Sequence, residues 1–246
     1  MIKISKTSEK RLGEISYSKY GTPMQVIAYT SVTNIRVKFL DEYGYETNTT
    51  SGNFKIGQVR NPYDKTICGI GYNGVGKYLT DTTPFDYMMW TAWRKMLLRC
   101  YDENYRSTYP AYVGCTVCKE WHCYQNFAEW YSSNYYEVTG HRIHIDKDIL
   151  VKGNKIYSPE TCLIVPQRIN MIFMDKTNKW DFPSGISLSK TGKYITSYNG
   201  KHLGSLDTLE EAIVAHDTEK RIHIKKVAEE YRTLVPPKVY NAMLAW

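Results

Sequence analysis

Residues 145–170 read IDKDILVKGNKIYSPETCLIVPQRIN, and this stretch decides how the middle of the chain folds. Apolar and polar residues alternate from position 143 to 149, so a strand would project three polar side chains onto one face: His144, Asp146 and Asp148. Gly153 and Asn154 favour a loop, and CLIVP at 162–166 favours a short returning strand. The predicted order is strand, loop, strand and short helix, with an acidic face that would hold a metal ion.

This order resembles the ββα-metal unit of HNH (His-Me finger) endonucleases, and the wording IDKDIL, NKIYSPETC and VPQRIN resembles phage-encoded, homing-type members. In that superfamily an Asp-His pair on the first strand supplies a metal ligand and the base that activates water. An Asn or His in the helix completes the site. By position, Asp146 takes the Asp place, Lys147 takes the His place and Asn170 lies near the helix place.

The resemblance therefore implies a hydrolase that cuts DNA phosphodiesters. Its catalytic residues would be His144, Asp146, Lys147 and Asn170, and its metal ligands Asp146, Asp148 and Asn170. Hard oxygen ligands favour Mg²⁺ or Mn²⁺. A protonated lysine accepts no proton, so His144 is the alternative base. In the other interpretation, Asp146 and Asp148 only anchor the loop through backbone hydrogen bonds or pair with Lys147 and Lys155.

Composition indicates a folded chain with a polyanionic partner. The 246 residues are 42% hydrophobic and carry a net charge of +7, which suits DNA. We expect no membrane span and no secretion signal, and hence a cytoplasmic protein, in the bacterial host if phage-encoded. Six cysteines without a secretion signal favour thiols over disulfides. A structural zinc site is a lesser alternative, with four candidate ligands: Cys100, Cys115, Cys118 and Cys162.

The chain divides into three predicted domains of an α+β protein. Residues 1–75 contain β-rich runs that predict a small SH3-like or Tudor-like barrel. Residues 76–178 combine helices, one capped by Thr83, with the HNH-like ββα unit. Residues 179–246 read as three short strands with turns at 191–192 and 199–200, followed by a helix capped by Thr208 and ending in a C-terminal helix.

The last domain resembles the Apetala-two class of DNA-binding domain, through GKYITSY, LGSLDTLEEA and AHD. In that class the exposed face of the sheet enters the major groove. If apolar residues face the helix, alternation turns polar ones outward, and lysines at the turns reach phosphates. The predicted DNA contacts are Ser187, Ser189, Lys190, Lys193, Tyr194, Thr196, Tyr198, Lys201 and His202.

Two functions remain open from the sequence. The first is an HNH-like endonuclease that binds double-stranded DNA and nicks one strand with a divalent metal, two chains being needed to cut both strands. The second is a catalytically inactive DNA-binding regulator or a protein-binding phage accessory factor that acts against host defence. Lys147 in the His place favours the second.

Overall fold

The computed structural model describes residues 10–174 and 182–246. The fold is mixed α+β and divides into two compact units, Met1–Trp130 and Tyr131–Trp246. The predicted boundary between positions 178 and 179 lies outside the described residues. The ββα stretch and the C-terminal sheet both belong to the second unit.

The first unit begins with a four-stranded antiparallel sheet in the order β1-β2-β3-β4. Its strands are β1 (Ile15–Tyr17), β2 (Pro23–Ser31), β3 (Asn34–Phe39) and β4 (Glu46–Thr49), followed by a short helix α1 (Ser51–Lys55). Alternate residues of β3 are buried, and the core also takes in Phe54 of α1. In the described residues β1 and β4 are not paired, so the sheet is open and the predicted closed barrel is wrong.

The rest of the first unit is mainly helical. It contains α2 (Pro84–Tyr101), α3 (Glu103–Thr108), 3₁₀ turns at Pro110–Tyr112 and Lys119–His122, and strand β5 (Thr116–Val117). Helix α4 (Tyr124–Asn134) begins in this unit and ends in the second. The Thr83 hydroxyl accepts the backbone N–H of Asp86, whose carboxylate accepts that of Thr83. This capping box begins α2 at the predicted position. Buried Trp93 donates its indole N–H to the Trp121 carbonyl at 2.7 Å, which joins α2 to the following turn.

The second unit contains a strand, loop, strand and helix in the predicted order. Its elements are β6 (Ile143–Asp146), β7 (Ile156–Tyr157), β8 (Leu163–Pro166) and α5 (Gln167–Phe173). β6 and β8 are antiparallel, with His144 opposite Val165 and Asp146 opposite Leu163. All four residues of β8 are buried, so this strand lies in the interior of the unit.

The C-terminal part is a three-stranded antiparallel sheet in the order β11-β10-β9, with a helix packed on it. Its elements are β9 (Ile186–Leu188), β10 (Tyr194–Tyr198), β11 (Lys201–Leu206), α6 (Leu209–Tyr231) and α7 (Pro237–Ala245). The predicted capping box at Thr208 and Glu211 begins α6. One hydrophobic core joins Ile169 of α5, Val227 of α6 and Met243 of α7, so the ββα unit and the C-terminal helices stabilise each other.

Candidate functional site

Asp146, the predicted metal ligand, is a buried turn anchor. Only 4% of the residue is exposed, and Oδ1 accepts the backbone N–H groups of Asp148 and Ile149, both at 2.8 Å. Burial raises the pKa of Asp146 to about 6, although the two backbone donors oppose the shift. The interaction is local because the chain turns immediately after β6, where a carboxylate can satisfy two otherwise unpaired donors.

Lys147, in the predicted base position, is held as a hydrogen-bond donor. The residue is 8% exposed, and Nζ donates to Asp148 Oδ1 at 2.6 Å and to the Asn154 carbonyl at 2.7 Å. The Asn154 amide in turn donates to the Lys147 carbonyl at 2.9 Å. Lys147 acts as a donor in both of its hydrogen bonds, so this arrangement closes the loop and directs the side chain towards two acceptors.

His144 and Asn170 come together across 26 residues. Nδ2 of Asn170 lies 3.4 Å from Nδ1 of His144, because β6 and α5 run side by side. Strand alternation gave His144 and the resemblance to HNH endonucleases gave Asn170 for the same site, and the fold brings the two residues into contact. An amide that donates to the imidazole nitrogen fixes the ring's orientation.

The donor set does not fit a hard divalent cation. Oδ1 of Asp146 already accepts two backbone donors, and Oδ1 of Asp148 binds the Lys147 ammonium. Among residues 10–174 and 182–246, no three His, Cys, Asp or Glu side chains converge as metal ligands. A carboxylate engaged in this way would have to exchange its partners for the ion. The second interpretation from the sequence, loop anchoring, describes these contacts.

The four cysteines proposed as zinc ligands form no disulfide within the described residues. Cys100, Cys115 and Cys162 are buried, whereas Cys118 is partly exposed. The described part of the chain contains no cluster of three metal-ligating side chains that includes any of them. Buried thiols of this kind pack as small apolar groups.

In the C-terminal sheet the register differs from the predicted one. Thr196 pairs with Ile186, whereas Ile195 pairs with Ser187. Cross-strand partners share a face, so Thr196 lies on the side of Ile186 and of the helix. Thr196 is fully buried, and Ile195 is 38% exposed. The predicted outward orientation of Thr196 is therefore wrong, because one step of register moves every side chain of a strand to the other face.

The two tyrosines of β10 follow the same correction. Tyr198 lies against α6, where its hydroxyl is 3.0 Å from Nδ1 of His223 and its ring meets that of His216. Tyr194 pairs with Leu188 and Leu206 and has the same parity as Thr196. The predicted outward orientation of both tyrosines is therefore wrong. A tyrosine ring can pack on the helix-facing side while its hydroxyl reaches a hydrogen-bond partner at the border of that side.

The lysines lie at the turns, but two are engaged. Nζ of Lys201 contacts both carboxylate oxygens of Glu219 on α6 at 2.9 Å, so it points towards the helix. Lys193 pairs with Asp207 at 3.0 Å, and both side chains are well exposed. Lys190 is exposed at the tip of the β9–β10 turn. Exposed pairs of this kind are weak, so Lys190 and Lys193 remain accessible to an anion.

The outer face of the sheet, which we define as the side away from α6, combines predicted and missed residues. Ser187 and His202 are exposed there as predicted, and Ser189 closes the adjoining turn by accepting the Lys193 N–H at 3.0 Å. Pairing adds three residues that the sequence interpretation missed: Ile195, Ser197 and Ser205. Counting residues outward from the Asn199-Gly200 turn correctly pairs Ser197 with His202. Leu203 is then left unpaired, which shifts the register, so the same counting does not give the pair of Ile195 with Ser205.

Comparison with known proteins gave no relative: no family model, no curated protein and no solved structure matches this chain. Within the described ranges, no helix is long and apolar enough to cross a membrane.

Proposed function

We propose that this chain binds double-stranded DNA through the outer face of the β9–β11 sheet and holds the duplex without cutting it. The observation that carries the proposal is an exposed isoleucine, Ile195, on the central strand of a sheet face that α6 does not cover. Isolated exposed apolar residues are common, but this one lies between Ser187 and Ser205 on a continuous three-strand surface.

The chemistry of that face fits the edges of base pairs. Serine hydroxyls donate to or accept from any base, and an apolar side chain can contact the methyl group of thymine in the major groove. A three-stranded sheet backed by one helix is also the arrangement that the resemblance to the Apetala-two class implies. Specificity would be modest, because the face offers no arginine for bidentate contact with guanine.

Lysines at the edge of the face supply the contacts to the DNA backbone. Lys190 and Lys193 border it at the β9–β10 turn, where flexible ammonium groups reach phosphate oxygens without reading sequence. The net charge of +7 favours approach to a polyanion. Lys201, bound to Glu219, is left out of this contact set.

Two isoleucines in the same module give a matched test. Ile195→Asp places a carboxylate on the outer face, whereas Ile222→Asp places one on α6 at a residue that is 57% exposed. In a fluorescence-anisotropy titration with a mixed-sequence duplex, we expect Ile195→Asp to weaken binding by roughly tenfold or more and Ile222→Asp to leave it nearly unchanged. Circular dichroism would check that both variants fold. Equal binding by the two variants would rule out the outer face.

Salt dependence tests the lysine contacts. Each phosphate contact adds about 0.9 to the negative slope of log K against log salt for duplex DNA. Lys190→Ala and Lys193→Ala should each reduce that slope, whereas Lys225→Ala, an exposed lysine on α6, should not. A slope unchanged in the first two variants would remove these contacts from the proposal.

Metal-dependent cleavage is the second candidate, and the contact between His144 and Asn170 in the ββα unit favours it. Supercoiled plasmid incubated with Mg²⁺ or Mn²⁺ separates the two functions. We expect no nicked product, because the carboxylates of Asp146 and Asp148 are engaged by protein donors. The endonuclease would be established instead by two results together. A chelator would have to abolish nicking, and His144→Ala would have to abolish nicking while it retains duplex binding.

A further inference from the structure

The second unit contains a large open cleft, and Ser197 is the one outer-face residue named above that also contributes to its lining. Its volume is about 1180 Å³. Helix α5, the β10–β11 turn and helix α6 each contribute to its lining, for example through Gln167, Asn199 and Ile213. Pockets for single small ligands usually occupy roughly 300–1,000 Å³, so this cleft has room for more than one such group.

Positive charge dominates the lining. Four basic side chains contribute to it against one carboxylate: Arg142, Lys152, Arg168 and Lys220, with Asp217. Arg168 also contacts Glu230 at 2.7 Å, and Lys152 lies 4.0 Å from Asp217. Arg142 is exposed and has no ion-pair partner within the described part of the chain. The net excess of cations favours a ligand with several negative charges.

Two of the polar side chains that line the cleft are buried. Lys220 is 5% exposed, with Nζ 4.5 Å from the centre of the Trp246 ring, and His216 is 8% exposed. Nδ1 of His216 lies 3.1 Å from Asp217 Oδ1. Burial restricts the motion of both side chains, so their positive or polar groups hold a fixed place in the lining of the cleft.

Rings and apolar side chains complete the lining. The Tyr198 ring meets those of His216 and His223, with centroids 5.2 and 5.6 Å away. Burial, and next the charge of Arg168, lower the pKa of His223, which favours a neutral ring at neutral pH. Met171 and Ile172 line the α5 side. Flat rings and apolar groups beside a cluster of cations suit a planar base that carries a phosphate.

We infer that this cleft binds nucleoside phosphates, either as free nucleotides or as the unpaired nucleotides of a single nucleic-acid strand. Cationic side chains led by Arg142 hold the phosphate, and the base packs against Tyr198 and the α5 side chains. The site is distinct from the duplex contact proposed above, because Tyr198 lies on the helix side of the sheet and Ile195 on the other.

Two arginines of one unit give the test. Arg142 lines the cleft, whereas Arg221 is exposed on α6 next to buried Lys220 and does not line it. Arg142→Glu and Arg221→Glu make the same change of charge. The probes are fluorescein-labelled oligo-dT of about 12 nucleotides, a length within the range that single-strand sites cover, and unlabelled dTMP as competitor.

We expect Arg142→Glu to weaken oligo-dT or dTMP binding by roughly tenfold or more, and Arg221→Glu to change it less than about threefold. Met171→Glu, in the apolar part of the cleft, should weaken binding as well. Tighter binding of oligo-dT than of dTMP assigns the strand as the source, and the reverse assigns the free nucleotide. The inference is overturned if neither probe binds, or if the two arginine variants lose binding equally.

The result is separable from that for the duplex. Ile195→Asp should leave oligo-dT binding unchanged, and duplex binding measured on the same preparations reports on the outer face alone. A wild-type protein that binds oligo-dT but does not bind the duplex would refute the proposed function and keep the cleft. The opposite pattern would refute the cleft and keep the outer face.

Discussion

Replacing Asp146 by asparagine should make the protein more stable at neutral pH. The asparagine side-chain oxygen can accept the same N–H groups, from Asp148 and Ile149, that the carboxylate accepts now. It carries no charge at any pH, so the cost of burying an ionised group disappears. The substitution therefore keeps the turn and removes the unfavourable electrostatic contribution.

The size of the effect follows from the pKa. Burial raises the pKa of Asp146 from 3.8 to about 6 in the folded protein. Below pH 3.8 both the folded and the unfolded chain hold the proton, and the carboxyl group costs nothing. As pH rises to about 6, the unfolded chain loses the proton first, so stability falls by up to about 1.4 kcal/mol per pH unit. Above the folded pKa the penalty is constant at about 3 kcal/mol.

Urea unfolding followed by circular dichroism, repeated from about pH 4 to about pH 7.5, measures this penalty. We expect the free energy of unfolding of Asp146→Asn to exceed that of the wild type by an amount that grows with pH and then levels off. Asp148→Asn is the contrasting variant, because it removes the carboxylate that pairs with the Lys147 ammonium, and it should not make the protein more stable than the wild type at neutral pH. A gap that is independent of pH, or an Asp146→Asn variant that becomes relatively less stable as pH rises, would refute the reasoning. The first result would mean that the fold favours neither form of the carboxyl group, and the second that it favours the charged form, as a metal ligand requires.

Substitutions at three sites, two of them with a control variant, test the C-terminal module by urea unfolding. Thr208→Ala removes the cap of α6 and should cost about 1 kcal/mol, whereas Thr208→Ser should cost little; equal losses would argue against the cap. Gly185→Ala combines a φ of +97° with a collision against the Ser197 carbonyl and should cost about 2 kcal/mol or more. Gly192→Ala, with a φ of +78° and open space around it, should cost less, and the reverse order would contradict the contact. Thr196→Val replaces a buried hydroxyl that has no hydrogen-bond partner in the described chain, so it should stabilise the protein by about 1 kcal/mol. Duplex binding should stay intact, and a loss of binding would mean that Thr196 faces DNA.

Much of the local structure could be predicted because its causes are local. Thr83 and Thr208 each begin a helix with a capping box, which needs only a side chain and the backbone three residues on. The turns at 191–192 and 199–200 set two hairpins through residues that tolerate the required backbone angles. Alternation and turn residues likewise predicted the order of β6, β8 and α5.

The chemistry of the ββα site was harder to predict, because the sequence indicates which side chains lie near one another and does not indicate which hydrogen-bond partners each of them has. The sequence brought His144 and Asn170 into one hypothesis, and the fold places them in contact. It left open whether Asp146 binds a metal or a turn, and in the fold Oδ1 accepts two backbone donors of the turn. The role of Lys147 depends on Asn154, which is seven residues away and becomes a partner only when the loop closes.

By itself, the sequence determined where α2 and α6 begin and how the two C-terminal hairpins turn, because each depends on neighbours within a few positions. It also determined that the chain carries excess positive charge. Only the tertiary structure decided that the N-terminal sheet stays open, which side chains of β10 face α6, and that Arg142 and His216 line one cleft. These features depend on the register of paired strands and on the packing of distant elements. A shift of one residue, or a different helix in contact, reverses the outcome without any change in local propensity.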